Sequence, residues 1–186
     1  MRLDYAAFRL LLLLALLSVP ALSPAGAERW VLVDTTKKVV QVHDGDVVVR
    51  TFNGAAIGRG GTSTMRSRGD NTTPLGEFRI HWINENSRFH IFLGLDFPDF
   101  EHTRLAYANG RLDIDQFLKV TDSLRANRVP PQTTPLGGHI GIHGVGEADA
   151  NVHAVSDWTR GCIALTDTQI EELFDMVRIG TRVIVR

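Results

Sequence analysis

Cys162 is the one cysteine in a chain of 186 residues, and it stands in the run Trp158-Thr159-Arg160-Gly161-Cys162-Ile163-Ala164-Leu165. A thiol is mostly protonated at neutral pH and attacks a carbonyl only with help from a base or a positive field. Gly161, directly before it, lets backbone approach a substrate closely. Free backbone N–H groups in such a turn can stabilise an oxyanion. Arg160 adds a charge that favours thiolate. The candidate base is His143, which ends the apolar run Ile140-Gly141-Ile142 and is followed at once by Gly144. Small neighbours leave a histidine at a strand end open to substrate. Residue types alone leave two other readings of the thiol, a buried inert side chain and an intermolecular disulfide.

His139 and His143 would share a metal ion only on a helix, and Gly138, Gly141 and Gly144 disfavour a helix there. On a strand, four residues separate the two by roughly 13 Å, too far for one ion without a sharp bend. No metal is therefore expected. His43, His81, His90, His102 and His153 have no partner pattern and read as surface or core residues.

The composition is that of an ordinary globular protein, 44% hydrophobic and 22% charged, with a net charge of −1. No basic excess is available to neutralise phosphates, which argues against nucleic acid as a partner. One cysteine excludes an intramolecular disulfide and a cysteine-rich zinc module.

Arg2 and Arg9 precede or open an apolar run, Leu10 to Leu17, extended through Val19, then Pro20, Pro24 and Ala25-Gly26-Ala27. A basic start, a short apolar middle and an A-x-A end predict a secretory signal peptide over 1–27, cut before Glu28. The run is shorter than the ~20 residues that span a bilayer. Without Arg2, Arg9 and Asp4 the remaining 18 basic and 20 acidic side chains leave −2. The expectation is a mature protein in the periplasm or cell envelope with no stable transmembrane span, whose residues 28–186 form one domain.

The elements that must position Cys162 and His143 are mostly strands. Trp30–Asp34, Lys38–His43 and Asp46–Phe52 are short and rich in valine, with Asp44-Gly45 as a hairpin signal. Asn53–Asp70, rich in Gly, Ser, Thr and Arg, reads as a long loop. Strands are expected at Phe78–Ile83, Phe89–Leu95, His139–His143 and Thr181–Val185. Asp99–Ala108 is weakly helical. Asp113 caps a helix running to Ala126, and Thr166-x-x-Gln169 is a capping box for another, ended by Gly180. The reading is mainly β, with two or three short helices. Asp96–Pro135, which holds two of them, is either a solvated insertion or a wall of the cleft.

The stretch from His143-Gly144 to Thr159-Arg160-Gly161-Cys162 resembles the signature of the L,D-transpeptidase catalytic-domain family: His, fourteen to seventeen residues, Ser or Thr, His, Gly, Cys. Here fifteen residues, Gly144 to Trp158, lie between. Thr73-Pro74-Leu75-Gly76-Glu77-Phe78 resembles the family's T-P-x-G-x-F turn and strand, and Gly180-Thr181 before an apolar strand fits as well. Asp157-Trp158-Thr159-Arg160-Gly161-Cys162-Ile163-Ala164 looks like a divergent subgroup carrying D-W-T-x-G-C-I-A. Arg160 replaces the usual histidine, and Ala164 replaces the usual Arg or Asn, so one potential carboxylate contact is lost.

The resemblance implies a β-sandwich-like domain acting on peptidoglycan. Cys162 would attack the carbonyl after meso-diaminopimelate in a stem peptide, D-alanine would leave, and a thioester would pass to an amine of a second stem peptide or of an envelope lipoprotein. His143 would accept the thiol proton and return one to the leaving amine. Gly161 and Cys162 N–H groups would hold the oxyanion, with Arg160, Thr159 and Gly144 positioning the substrate. No cofactor is implied. The alternative is an L,D-carboxypeptidase or amidase using the same pair, in which water resolves the thioester. Arg59, Arg66 and Arg68 are read as surface arginines able to meet carboxylates of the wall. A papain-like protease is disfavoured because there the cysteine precedes the histidine. A non-catalytic wall-binding module would predict a damaged motif, yet Cys162, Gly161 and His143 are all present.

Overall fold

A computed structural model describes residues 28–186. The signal-peptide expectation for 1–27 lies outside the described residues.

Valine-rich segments form the first three strands, β1 (Arg29–Asp34), β2 (Val39–Asp44) and β3 (Val47–Asn53). Val31, Leu32 and Val33 are all buried, so β1 is covered on both faces. It pairs antiparallel with β2 and parallel with the C-terminal strand β10 (Arg182–Val185). The loop expected at 53–70 carries β4 (Thr62–Ser63), paired with β5 (Thr73–Pro74).

The strand β6 (Gly76–Ser87) is long enough to serve two half-sheets. Its first residues pair with β10, and after a register shift near Ile80 the rest pairs with β7 (His90–Leu95). Such irregularities bend a strand and raise its twist. Two short strands follow, β8 (Gly141–His143) against β7 and β9 (Ile163–Ala164) against β8. The eight-stranded order is β3-β2-β1-β10-β6-β7-β8-β9. Val31, Val42 and Phe52 of one half and Leu93, Ile142 and Ile163 of the other share a single buried cluster.

The helices are α1 (Phe100–Ala108), α2 (Ile114–Arg125), α3 (Ala150–Val155) and α4 (Asp167–Met176). The capping box read at Thr166 and Gln169 is formed, and the Asp113 cap proves to be a second one, completed by Gln116. Among the described residues there are thus four helices rather than two or three. The unexpected one, α3, has six residues, too few to display a helical apolar period. The helix α4 stops at Met176, with Val177 as its cap, so Gly180 serves the turn into β10 instead. Ile170 and Leu173 are its buried face.

Candidate active site

Strand register brings the thiol and the imidazole to one face. In the parallel β8–β9 pair, Ile142 lies opposite Ile163 and His143 opposite Ala164. Cys162 precedes Ile163, so it points the same way as Ala164 and His143, one step along the strand. The far edge of β9 is closed by a bridge between Ala56 and Ala164, with both N–H···O bonds made at 3.0 and 2.8 Å. Cys162 and His143 line the same cleft, of about 960 Å³.

His143 is almost fully buried. Its Nδ1 lies 2.6 Å from the carbonyl oxygen of Gly144. A carbonyl only accepts, so Nδ1 carries the hydrogen and Nε2 keeps a lone pair. Phe89 stacks on the ring at 4.4 Å, Phe92 flanks it at 5.8 Å, and Trp158 meets it edge-on at 5.8 Å. Burial among these rings pushes the imidazole down to about 4, against the smaller opposing effect of the Gly144 bond. The ring is neutral at physiological pH.

The Cys162 thiol is partly exposed and donates to the carbonyl of His139 at 3.2 Å. Desolvation pushes it up to about 11, opposed first by an N–H from Gly141 and then by the charge of Arg66. Arg160, the cation expected to act on the thiol, is exposed on the rim, and the arginine that opposes the rise is Arg66 instead.

The turn before Cys162 is held by Thr159. Its buried hydroxyl accepts from Gly161 N–H at 3.1 Å and donates to the carbonyl of Cys162 at 2.7 Å. The Gly161 N–H is therefore already engaged, which removes it from the expected pair of oxyanion donors and leaves the N–H of Cys162. Gly161 has a φ of +121°, and a side chain there would meet Thr72 O at 2.5 Å. Gly144 is required by packing: a Cβ would lie 2.5 Å from Asp167 Oδ1 and 2.9 Å from Phe89 O. Its carbonyl, not its openness, is what serves His143.

Asp157 anchors the segment on its other side, accepting from Ile57 N–H at 2.9 Å and pairing with Lys38 at 2.6 Å. Neither Asp157 nor the aromatic cage stands out by residue type. Trp158 and Asp157 could have been found only through their place in the D-W-T motif; Phe89 and Phe92 carry no local signal.

The cleft is bordered by Arg59, Arg66, Arg68, Arg88 and Arg160, and no Asp or Glu is among its lining residues. In a chain of near-neutral net charge this is a strong segregation of positive charge. The segment after α2 supplies Gln132, Thr133, Gly137 and Gly138. The wall reading of Asp96–Pro135 thus applies to its last residues, and α1 and α2 do not line the cleft. Among the described residues no group of three or more His, Cys, Asp or Glu side chains is placed to hold a metal ion.

A mainly β domain whose paired short strands bring a cysteine and a histidine to one open cleft has the fold of the L,D-transpeptidase catalytic domains. The chain belongs to that family: the model of the YkuD family, the L,D-transpeptidase catalytic domain, matches residues 28–185. Among solved structures, Bd1075 of Bdellovibrio bacteriovorus is similar with a TM-score of 0.56 at 15% identity, over 88% of this chain and 49% of that one. The helical cell shape determining protein Pgp2 of Campylobacter jejuni is similar with a TM-score of 0.56 at 17% identity, over 86% of this chain and 47% of that one. At such identities the likeness is one of fold. The chain spans about half the length of these two proteins. Comparison with curated proteins gives no significant match.

Proposed function

We propose that the protein is an exported cysteine enzyme that forms a thioester between Cys162 and a peptidoglycan stem peptide, and passes the acyl group to an amine. The observation that carries this reading is the shared face: Cys162 and His143 open into one cleft, and the Gly144 carbonyl fixes the tautomer that leaves Nε2 basic. Export rests on the basic, apolar and A-x-A pattern of 1–27. Among the described residues no helix is long and apolar enough to cross a membrane.

In the resting site both groups are uncharged, since burial opposes thiolate and imidazolium alike. His143 Nε2 therefore takes the proton as sulfur attacks, acting as a general base rather than as half of a standing ion pair. The S–H bond breaks, the N–H bond forms, and the sulfur electrons bond the meso-diaminopimelate carbonyl carbon that is joined to D-alanine. The Cys162 N–H meets the developing oxyanion. The imidazolium returns its proton to the leaving D-alanine amine. An amine of another stem peptide or of an envelope lipoprotein then attacks the thioester carbonyl and gives a proton to His143; the C–N bond forms, the C–S bond breaks, and that proton returns to sulfur, restoring the thiol.

A second reading, hydrolysis by the same pair as a carboxypeptidase or amidase, is favoured by the charge of the cleft. Five arginines and no lining carboxylate attract an anionic donor and repel an ammonium acceptor, whereas water is indifferent. Mass spectrometry of tetrapeptide muropeptides incubated with the protein separates the two. D-Alanine loss with a new dimer means transfer, and loss without a dimer means hydrolysis. Turnover equal in Cys162→Ala would defeat both.

A further inference from the structure

The side chain of Arg66 was expected at the surface and is instead buried, with 4% of its area exposed. Its Nε and Nη1 have no hydrogen-bond partner, and Nη2 reaches only the carbonyl of Arg160, at a long 3.5 Å. Burying a guanidinium without an acid beside it is costly, and charged side chains are almost never buried unpaired. The nearest acid that acts on it, Asp70, spends its oxygens on Ser67 N–H, Thr72 N–H and the Thr72 hydroxyl. No carboxylate lies within 4.0 Å of Arg66 among the described residues.

The surroundings are built to hold the cation there. Arg111, from the segment between α1 and α2, donates to the carbonyls of Met65 and Arg66 at 2.8 and 3.0 Å and to the Ser67 hydroxyl. The guanidinium lies over the Phe97 ring at 5.5 Å. Two glycines make room for it: a Cβ on Gly161 would come within 2.6 Å of Nη1, and one on Gly137 within 3.3 Å of Nη2. The orphaned Nη1 therefore sits against the residue that immediately precedes Cys162.

We propose that Arg66 is a positioning residue of the reaction, a fixed positive charge behind the Gly161–Cys162 turn that lowers the cost of negative charge on the Cys162 sulfur. The inference rests on the nucleophile role given to Cys162 above. Nothing is transferred to or from Arg66. When the thiol proton leaves for His143 Nε2, the electron pair stays on sulfur beside the guanidinium. The cation is thus unpaired at rest and gains its counter-charge only as the thiolate forms, so its attraction acts on the reacting state rather than on the resting one. The other groups facing the thiol do not substitute for it. Gly141 N–H and the His139 carbonyl are dipoles, His143 is neutral, and Arg68 and Arg160 extend from the exposed rim. With Ala164 buried and uncharged two residues after the cysteine, Arg66 supplies from another segment of the chain the cation that β9 lacks.

The test is the pH profile of Cys162 alkylation by iodoacetamide, a neutral reagent that needs neither peptidoglycan nor an acceptor. It is measured on the full protein, on Arg66→Met and on Arg66→Lys, with melting temperatures in parallel. Well below the thiol pKa, raising that pKa by one lowers the thiolate fraction tenfold. Arg66→Met should therefore react about tenfold more slowly at a given pH, its profile moved to higher pH by about one. Arg66→Lys should stay near the wild type. Because an unpaired buried charge is removed, Arg66→Met should melt no lower than the wild type. Superimposed profiles overturn the proposal, as does an Arg66→Met protein that fails to fold or melts well below the wild type, since a purely structural arginine behaves that way. A displaced profile in a protein inert toward muropeptides would leave Arg66 as proposed and defeat the peptidoglycan reading instead.

Discussion

The thiol of Cys162 donates its hydrogen to the carbonyl of His139 at 3.2 Å, not to the imidazole of His143 that shares its face. His139 itself has a positive φ of 53°, and its N–H is held by the side chain of Gln132. The Cys162 thiol is thus parked on a backbone oxygen supplied by the segment that also forms a cleft wall. Proton transfer to His143 Nε2 requires the S–H bond to leave that carbonyl first. A thiol held protonated in this way is slow to oxidise, because the thiolate is the reactive form.

The acid limb of the pH–rate profile should lie low. Protonated His143 cannot accept the thiol proton, and burial holds the imidazole at about 4. The kcat/KM for a stem peptide should therefore stay level as pH falls through 6.5 and drop only near 4. A limb centred near the ordinary imidazole value would mean that His143 is solvated or is not the base.

The same depressed group links stability to pH. Between about 4 and 6.5 the unfolded chain binds a proton at His143 that the folded chain does not, so stability rises with pH across that window and is lost as pH falls. A pKa lowered that far corresponds to about 3 kcal/mol. Chemical denaturation of His143→Gln between pH 4 and 6.5 should show a flatter dependence than the wild type. Equal slopes would contradict the burial.

Thr159 should matter through its hydroxyl. Thr159→Val leaves the Gly161 N–H and the Cys162 carbonyl without their partner and should cost about 1–3 kcal/mol, as expected for buried polar groups left unsatisfied. Thr159→Ser should recover most of it. Urea denaturation midpoints of the two variants give the comparison; a loss in Thr159→Ser as large as or larger than that in Thr159→Val would contradict the hydroxyl's role.

Gly161→Ala combines a φ of +121° with a contact of 2.5 Å to Thr72 O. Such backbone strain costs about 1–3 kcal/mol before any clash is counted. The variant should melt several degrees lower and lose thiol reactivity. An unchanged melting temperature would show that the turn relaxes.

The arginine-lined cleft should read as salt-sensitive binding. Arg88 and Arg160 line it and make no ion pair among the described residues. Raising ionic strength should lower kcat/KM for an anionic stem peptide while leaving iodoacetamide alkylation unchanged. Arg88→Gln and Arg160→Gln should raise KM several-fold. A salt-independent KM would remove the electrostatic account of substrate choice.

Local signals carried much of the fold and the core of the site. Valine runs, the Asp113 cap and the Thr166 capping box are written in short stretches, and each appears where the pattern puts it. What depends on distant packing was not legible. Arg66 sits in a Gly- and Ser-rich loop that reads as surface, and the residues seen to pack against it, Phe97, Arg111, Gly137 and Gly161 among them, lie far along the chain. The stack of Phe89 and Phe92 on His143 depends on the register of β7 against β8, which no periodicity encodes. Gly161 looked like an oxyanion donor because nothing in the sequence reveals that Thr159 folds back onto its N–H.

Intact-protein mass spectrometry of the protein, quenched in acid shortly after mixing with a disaccharide tetrapeptide, reads the acyl-enzyme itself. The expected result is a covalent adduct with the mass of the donor less D-alanine, mapped to Cys162, absent in Cys162→Ala and strongly reduced in His143→Gln. An adduct on another residue, or D-alanine release that persists in Cys162→Ala, would contradict it.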